Sequence, residues 1–598
     1  MFEHPLRHLS VGTSRPCLDY KCTMRGGAAS ATIDHRKCTV CKERSCARGP
    51  QSCLLFSAND RATHSVTNFS QVRPGPDAPV DAVSRQTRCE PATPASATPY
   101  VNPRTSALRS DVALSVRNAV KLASSLMATW AVALVVRIFL PRHLGPGLFG
   151  AFQFANAFTT TLFVITSLGI DTYVRKEVST RREHATELFG GTLVLRLVLS
   201  AVIMIFAVLA LSAAGKPGSV LLLVVVLGGA QMLLVANSTY GAMLQAVGAV
   251  DGLSVLNVLA KIGWGAGIVL ALTLGGGVQG VALAMLVSEA ARTCGLVALT
   301  RRHLGLRFVV DLGASMTVIR ASMPIYVGHL AQSIYGNLDV SIMSFLTSDV
   351  EVGWYSAAST IAGIAFLLSP IILWVLMPLA SRAKARSPDE VMLITRRAME
   401  AVLAVAFPAT LFLWISAYLI VNVAFGRAYA PAAQSLRILA PSFVLTYAAM
   451  VSANILIRLD RAWAVTAVSA IGIALSGALN LWLVPHGLAR FGPGGAGIGA
   501  ASALIITECW TTGALVWLMG REAFDGRLIA MLAKTVAVCA VVLGLDHLLL
   551  PMGAWRLAVD AAVYVGLAVS SGAMDVRGAL GYLLAGVVRG GRVAEVTP

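Results

Sequence analysis

The chain has 598 residues, 56% of them apolar and 13% charged, with a mean hydropathy of +0.71. Soluble globular proteins carry roughly 25% charged residues, so the composition argues against a water-soluble enzyme and for a membrane protein. The 48 Lys and Arg exceed the 30 Asp and Glu by 18, and that excess has meaning only once it is located along the chain.

In chain order, the first region is unlike the rest. Residues 1–109 hold 15 of the Lys and Arg, 8 of the Asp and Glu and seven of the ten cysteines. Their longest apolar run is Cys53-Leu54-Leu55-Phe56, and Pro, Ser and Thr dominate from Pro74 to Pro103. Such sequence cannot bury enough apolar surface to offset its chain entropy. Residues 1–111 are therefore expected to form a disordered tail, and they contain no apolar core of a signal peptide. Three readings of the tail compete. Cys38-x2-Cys41-x4-Cys46-x6-Cys53 offers one C-x2-C, where a structural zinc site usually needs two spaced pairs. A cytoplasmic extension with reduced thiols is the second. A true start downstream, near Val112 or Val116, is the third.

Beyond the tail, apolar segments long enough for a bilayer core, about 20 residues each, recur to the C-terminus. The sequence predicts them near 117–140, 150–173, 189–213, 219–245, 252–274, 278–299, 322–346, 354–381, 398–424, 432–457, 461–484, 497–519, 526–550 and 554–573. The expected fold class is an all-α polytopic membrane protein of about 14 transmembrane helices.

Orientation follows from the bias of Lys and Arg toward cytoplasmic loops. With the N-terminus inside, the inner loops carry Arg175, Lys176, Arg181 and Arg182, then Arg301, Arg302, Arg307 and Arg320, then Arg382, Lys384, Arg386, Arg396 and Arg397. Arg458, Arg461, Arg521 and Arg527 continue the series, whereas the outer loops carry Arg142, Lys216, Arg427, Arg490 and Arg556 singly. Both termini are thus expected in the cytoplasm of a bacterium, with the helices in its inner membrane. The basic clusters read as topology signals, so no nucleic-acid partner is expected.

The short outer loops leave no room for an external catalytic domain. No phosphate-binding loop of the G-x4-G-K-[ST] type occurs, and the membrane part has neither H-E-x-x-H nor a His/Cys cluster. An enzyme, a metal site and a cofactor are accordingly not expected; a channel, a transporter or a membrane scaffold remains.

An internal repeat narrows the choice. Gly150-Ala-Phe152-Gln-Phe-Ala155 opens the second span and Gly353-Trp-Tyr355-Ser-Ala-Ala358 the eighth. Gly280-Val-Ala-Leu-Ala-Met-Leu-Val-Ser-Glu289 in the sixth matches Gly499-Ala-Ala-Ser-Ala-Leu-Ile-Ile-Thr-Glu508 in the twelfth. Both offsets equal six spans, so the halves share one topology and are related by an axis along the membrane normal. The expected organisation is a first six-helix half (112–300), a cytoplasmic linker (301–321), a second six-helix half (322–520) and two further helices with a C-terminal tail (521–598). Pro324, Gly328 and Gly336 are candidates to break or bend the seventh span.

A charge at mid-membrane costs roughly 2.5 to 3.5 kcal/mol on insertion scales, so each one needs a reason. Arg137, Arg196, Lys261, Glu289, Arg292, Asp339 and Glu508 lie inside spans and Asp171 ends one. Arg137, Lys261, Arg196, Asp171 and Glu289 are the candidate substrate-binding residues, and Asp339 is the candidate for ion coupling. Snorkelling of Arg196 and Arg292, and mutual neutralisation of Glu289 and Arg292 three residues apart, are the alternative structural roles. A cationic first half suits an anionic headgroup, above all a phosphate or diphosphate, which Arg binds bidentately.

Arg137-Ile-Phe-Leu-Pro-Arg-His-Leu144-Gly145-Pro-Gly-Leu-Phe149-Gly150-Ala-Phe152 resembles the first-to-second helix signature of bacterial polysaccharide flippases of the Wzx type. Gly169-Ile-Asp171-Thr-Tyr-Val-Arg175-Lys-Glu177 is similar to that family's end of helix two. Tyr335-Gly-Asn337-Leu-Asp339 through Ala358, the placement of Pro378, Phe425-Gly426-Arg-Ala-Tyr429 and Gly495-Ala-Gly-Ile-Gly499-Ala extend the resemblance over about residues 112–520. The resemblance implies membership of the multidrug, oligosaccharidyl-lipid and polysaccharide flippase superfamily. It implies alternating-access translocation of a polyprenyl-diphosphate-linked oligosaccharide for surface or exopolysaccharide biosynthesis. The implied partners are that glycan lipid, membrane lipid and other polysaccharide assembly proteins. A cation-coupled multidrug antiporter of the same superfamily, or a non-transporting scaffold of polysaccharide assembly, is the alternative.

Overall fold

A computed structural model describes residues 103–180, 185–305, 333–364, 387–520 and 525–572, with residues 323, 326 and 330 between them. All lie within one compact unit, 99–598. The tail readings, most of the linker 301–321, and Pro324, Gly328 and Pro378 fall outside the described residues.

The described chain is a bundle of α-helices. The first, α1 (Pro103–Phe163), contains two arms that meet at Gly145, where φ is 72° and ψ 168°. A left-handed φ with extended ψ fits glycine, which lacks the Cβ that would clash there. Pro146 then starts the second arm, where its missing N–H costs nothing. A 3-10 turn (Val164–Ser167) follows and ends at Leu168 and Gly169, both with positive φ. The helix restarts as α2 (Ile170–Thr180), so the continuous second span expected over 150–173 is broken.

The helices α3 (Ala185–Ala213), α4 (Gly218–Ala246), α5 (Val250–Thr273) and α6 (Gly277–Leu304) complete the first half. In the second half, the seventh span is interrupted by a turn at Gly336 and Asn337 before α7 (Leu338–Leu346), as its glycine suggested. Next come α8 (Asp349–Ala362) and α9 (Pro388–Phe425). The tenth span divides at Pro441 into α10 (Ala432–Leu439) and α11 (Ser442–Arg458), a break the apolar run concealed. The last pair of the half is α12 (Ala462–Phe491) and α13 (Gly495–Met519).

Eleven described segments are long and apolar enough to cross a membrane. The one at Ser124–Ser167 covers most of the first two expected spans, and the seventh and eighth are described only in part. The protein is an all-α polytopic membrane protein. Leu209, Val255, Leu270, Leu481 and Val541 are exposed along the outward faces, with Trp463, Trp517 and Trp555 exposed near helix ends. In a bilayer those apolar faces meet acyl chains, and tryptophans suit the interface.

The glycines of the four motifs sit at close helix contacts. Gly280 packs α6 against Ala271 of α5, and Gly499 packs α13 against the Leu483 carbonyl of α12. Gly150 and Gly353 instead meet each other. A Cβ at Gly150 would run into the carbonyl of Asp349, and one at Gly353 into that of Pro146, so α1 and α8 cross backbone to backbone. Around this crossing one apolar cluster joins both halves, with Phe152, Phe154 and Leu227 on one side and Tyr355, Tyr429 and Leu436 on the other. Two terminal helices, α14 (Gly526–Leu548) and α15 (Arg556–Ser570), dock Val538, Val542 and Tyr564 on Leu411 and Ile415 of α9.

Candidate functional site

The charges that the sequence places inside the membrane fall into three groups. The first is built on α1, α5 and α6. Gly265 lets the first arm of α1 approach α5, since its absent Cβ faces Val132 and Val136 at 3.4 and 3.5 Å. That approach sets Arg137, next along the chain from Val136, beside Lys261. The Lys261 ammonium lies 3.7 Å from the Trp264 ring centroid, one helical turn on. Glu289, Arg137 and Arg292 all lie within its electrostatic reach.

Glu289 is itself held in place. It accepts from Asn237 Nδ2 at 2.9 Å and from Arg292 Nη1 at 3.2 Å, while Arg292 Nε donates to Asn257 Oδ1 at 3.1 Å. Glu289 thus faces two cations, Arg292 and Lys261. Arg137 has no ion pair or hydrogen bond among the described residues, and it is exposed in the chain. The group is net cationic with one uncommitted guanidinium.

The second group is different in kind. Arg196 of α3 is fully buried and pairs with Asp171 at 2.7 Å. Its Nη1 also donates to Thr239 at 2.7 Å and Ser238 at 3.2 Å, and its Nη2 to the Ser167 carbonyl at 2.5 Å. This arginine satisfies a carbonyl left open where the 3-10 turn ends and ties that break to α2 and α4. The two groups meet on α4, where Asn237 belongs to one and Ser238 and Thr239 to the other. Arg137, Lys261 and Glu289 are therefore brought together, whereas Arg196 and Asp171 form a separate buried pair.

The third group lies in the second half. Asp339, in the first turn of α7, accepts from the Tyr355 hydroxyl of α8 and from its own chain at Val340 N, 2.9 Å away. Glu508 of α13 accepts from the Tyr335 hydroxyl at 3.1 Å. Both carboxylates are buried, and phenols are the side-chain donors shown for them. Glu351 of α8 accepts from Gly494 N at 2.6 Å, at the entrance to α13, which fixes α8 and its Tyr355 against that helix.

Sequence reasoning missed Trp264, Asn237, Tyr335 and Tyr355 as partners. Trp264 could have been found from its spacing to Lys261. Tyr335 and Tyr355 stand in the quoted family-like segments, but nothing local assigns each to a carboxylate.

A bundle of long apolar helices that cross at paired glycines and hold charged side chains between them defines a polytopic membrane protein. Residues 115–384 match the family described as polysaccharide biosynthesis protein. Among solved structures the fold is similar to the lipid II flippase MurJ in an inward closed conformation, with a TM-score of 0.60 at 10% identity over 75% of this chain and 97% of that one. It is also similar to an inward-facing multidrug resistance MATE family transporter of the MOP superfamily, with a TM-score of 0.54 at 17% identity over 68% of this chain and 98% of that one. Comparison with curated protein sequences gives no match. The chain is a multi-pass membrane protein whose fold is similar to those of these two structures.

Proposed function

We propose that the protein translocates a polyprenyl-diphosphate-linked oligosaccharide across the cytoplasmic membrane of a bacterium, for surface or exopolysaccharide biosynthesis. The observation that carries this reading is the net cationic group of Arg137, Lys261 and Arg292 against the single carboxylate of Glu289. A diphosphate brings anionic oxygens that Arg binds through paired N–H donors and Lys as a point charge. The uncommitted Arg137 guanidinium is the first ligand for it, and Lys261 the second. The polyprenyl chain stays in lipid while the head passes between the halves, which rock against each other.

In this reading both termini face the cytoplasm, and Asp339 is the coupling residue for a proton or sodium gradient. Other polysaccharide assembly proteins supply the lipid-linked glycan and receive it. Reconstitution in proteoliposomes with a fluorescent polyprenyl-diphosphate oligosaccharide tests the function. Arg137→Ala or Lys261→Ala, each inserted at normal level, is expected to slow flipping about tenfold, since a charge-assisted hydrogen bond contributes about 1.5 kcal/mol or more. Full flipping by both variants would overturn the phosphate role. Flux insensitive to both proton and sodium gradients would remove the coupling role of Asp339.

The buried Asp339 and Glu508 favour one second reading, a cation-coupled antiporter for cationic drugs. Drug resistance conferred by the chain, lost in Asp339→Asn, would select it.

A further inference from the structure

Lys216 lies in the turn between α3 and α4, between Gly215 with its positive φ and Pro217. The sequence marks it only as a loop charge. In the structure it reaches from the first half to the second. Its Nζ donates to the Ser344 carbonyl at 2.6 Å and stands 3.2 Å from the Ser344 hydroxyl. Ser344 is in the last turn of α7, whose final carbonyls have no helical donor and form the end of the helix dipole that favours a cation.

The same ammonium is 5.0 Å from the Phe154 ring centroid and 5.2 Å from that of Phe345. These rings meet edge to face at 5.6 Å, and Phe158 adds a second edge contact to Phe345 at 6.5 Å. Phe154 belongs to α1 and Phe345 to α7, so the cage around the ammonium takes one wall from each half. The cage shares α1 with the glycine crossing of α1 and α8. Two neutral or weak contacts also bridge the halves here: Tyr429 Oη to the Pro141 carbonyl at 2.8 Å, and Arg142 to the Val423 carbonyl at 3.4 Å. Elsewhere Tyr326 Oη donates to the Ile165 carbonyl at 3.1 Å, which joins the seventh span to the 3-10 turn without a charge.

We propose that Lys216 is the latch of the Gly150–Gly353 end: its ammonium holds the two halves together there and leaves the Phe154–Phe345 cage before that end opens. The backbone crossing supplies close fit, and the lysine supplies the charge-based contact that opening must break. A carbonyl and two aromatic faces hold a cation moderately, as a part that must release in each cycle requires. Separation returns both the ammonium and Ser344 to water, so the contact is reversible without leaving a buried charge. The assignment rests on the two-sided transporter reading above and is independent of which lipid is carried.

Distance measurement between labels on Ala214 and Ser348 tests it. Keto-bearing residues introduced at these exposed positions leave the ten cysteines in place, and the full chain is studied in lipid nanodiscs by pulsed electron resonance. The wild type is expected to show a short and a long population. Lys216→Met is expected to raise the ratio of long to short about tenfold, with Lys216→Arg close to wild type and Phe345→Leu raising it less. Lys216→Met and Phe345→Leu distributions equal to a two-population wild type would overturn the latch and leave the transporter reading standing. A single short distance in the wild type and every variant, with and without lipid-linked oligosaccharide, would overturn both.

Discussion

Glu289 and Glu508 stand nine residues after Gly280 and Gly499, yet they have different partners. Glu289 accepts from an arginine and an amide; Glu508 accepts from a phenol. Both glycines pack closely on a neighbouring helix, and the chemistry nine residues later differs. An arginine partner compensates the carboxylate charge, whereas a phenol offers a hydrogen bond and no charge. The carboxylate at Glu289 therefore stands among cations, and the one at Glu508 is buried against a neutral donor.

The sharpest way to break this comparison is at the buried arginine. Arg196→Met is expected to lower stability by about 3 kcal/mol, because it leaves Asp171 and the Ser167 carbonyl without their donor. Thermal unfolding in detergent, scored against wild type, measures it; an unchanged midpoint would show that the 3-10 turn is held by other contacts. The tenfold losses expected for Arg137→Ala and Lys261→Ala come next in size and should appear in flipping rate with little change in unfolding. Smallest is the contrast of the two glutamates themselves. Glu289→Gln is expected to cost about 1 kcal/mol through its lost attraction for Arg292, discounted for the partial exposure of both groups. Glu508→Gln should fall within about 0.5 kcal/mol of wild type, since an amide oxygen still accepts from Tyr335. Equal losses for the two would mean that Glu508 has a charged partner after all.

Much of this fold was legible before any coordinates. Length and apolar content place the helices because a bilayer sets their dimension locally, and the glycines of the repeat mark real helix crossings. The breaks were less legible. Gly336 could be anticipated as an interruption of the seventh span, but the break at Leu168 and Gly169 depends on Arg196 reaching Ser167 from another helix. Among the candidate residues, Arg137, Lys261 and Glu289 were nominated for being charged in apolar surroundings, and they cluster. Arg196 and Asp171 met the same criterion and are committed to each other. Burial alone cannot separate a charge held for a ligand from one held by a neighbour; only the inventory of its hydrogen bonds does.

The sequence by itself determined that this is a many-helix membrane protein, because hydropathy is a property of short stretches of chain. The tertiary structure decided who pairs with whom: Tyr355 with Asp339, Asn237 with Glu289, Lys216 with Ser344. Such pairs join residues from different helices, and their geometry is set by how closely glycines such as Gly150, Gly265 and Gly353 allow those helices to approach. A charge read from sequence as a loop signal becomes a contact between halves only once that approach brings Phe154 and Phe345 together around it.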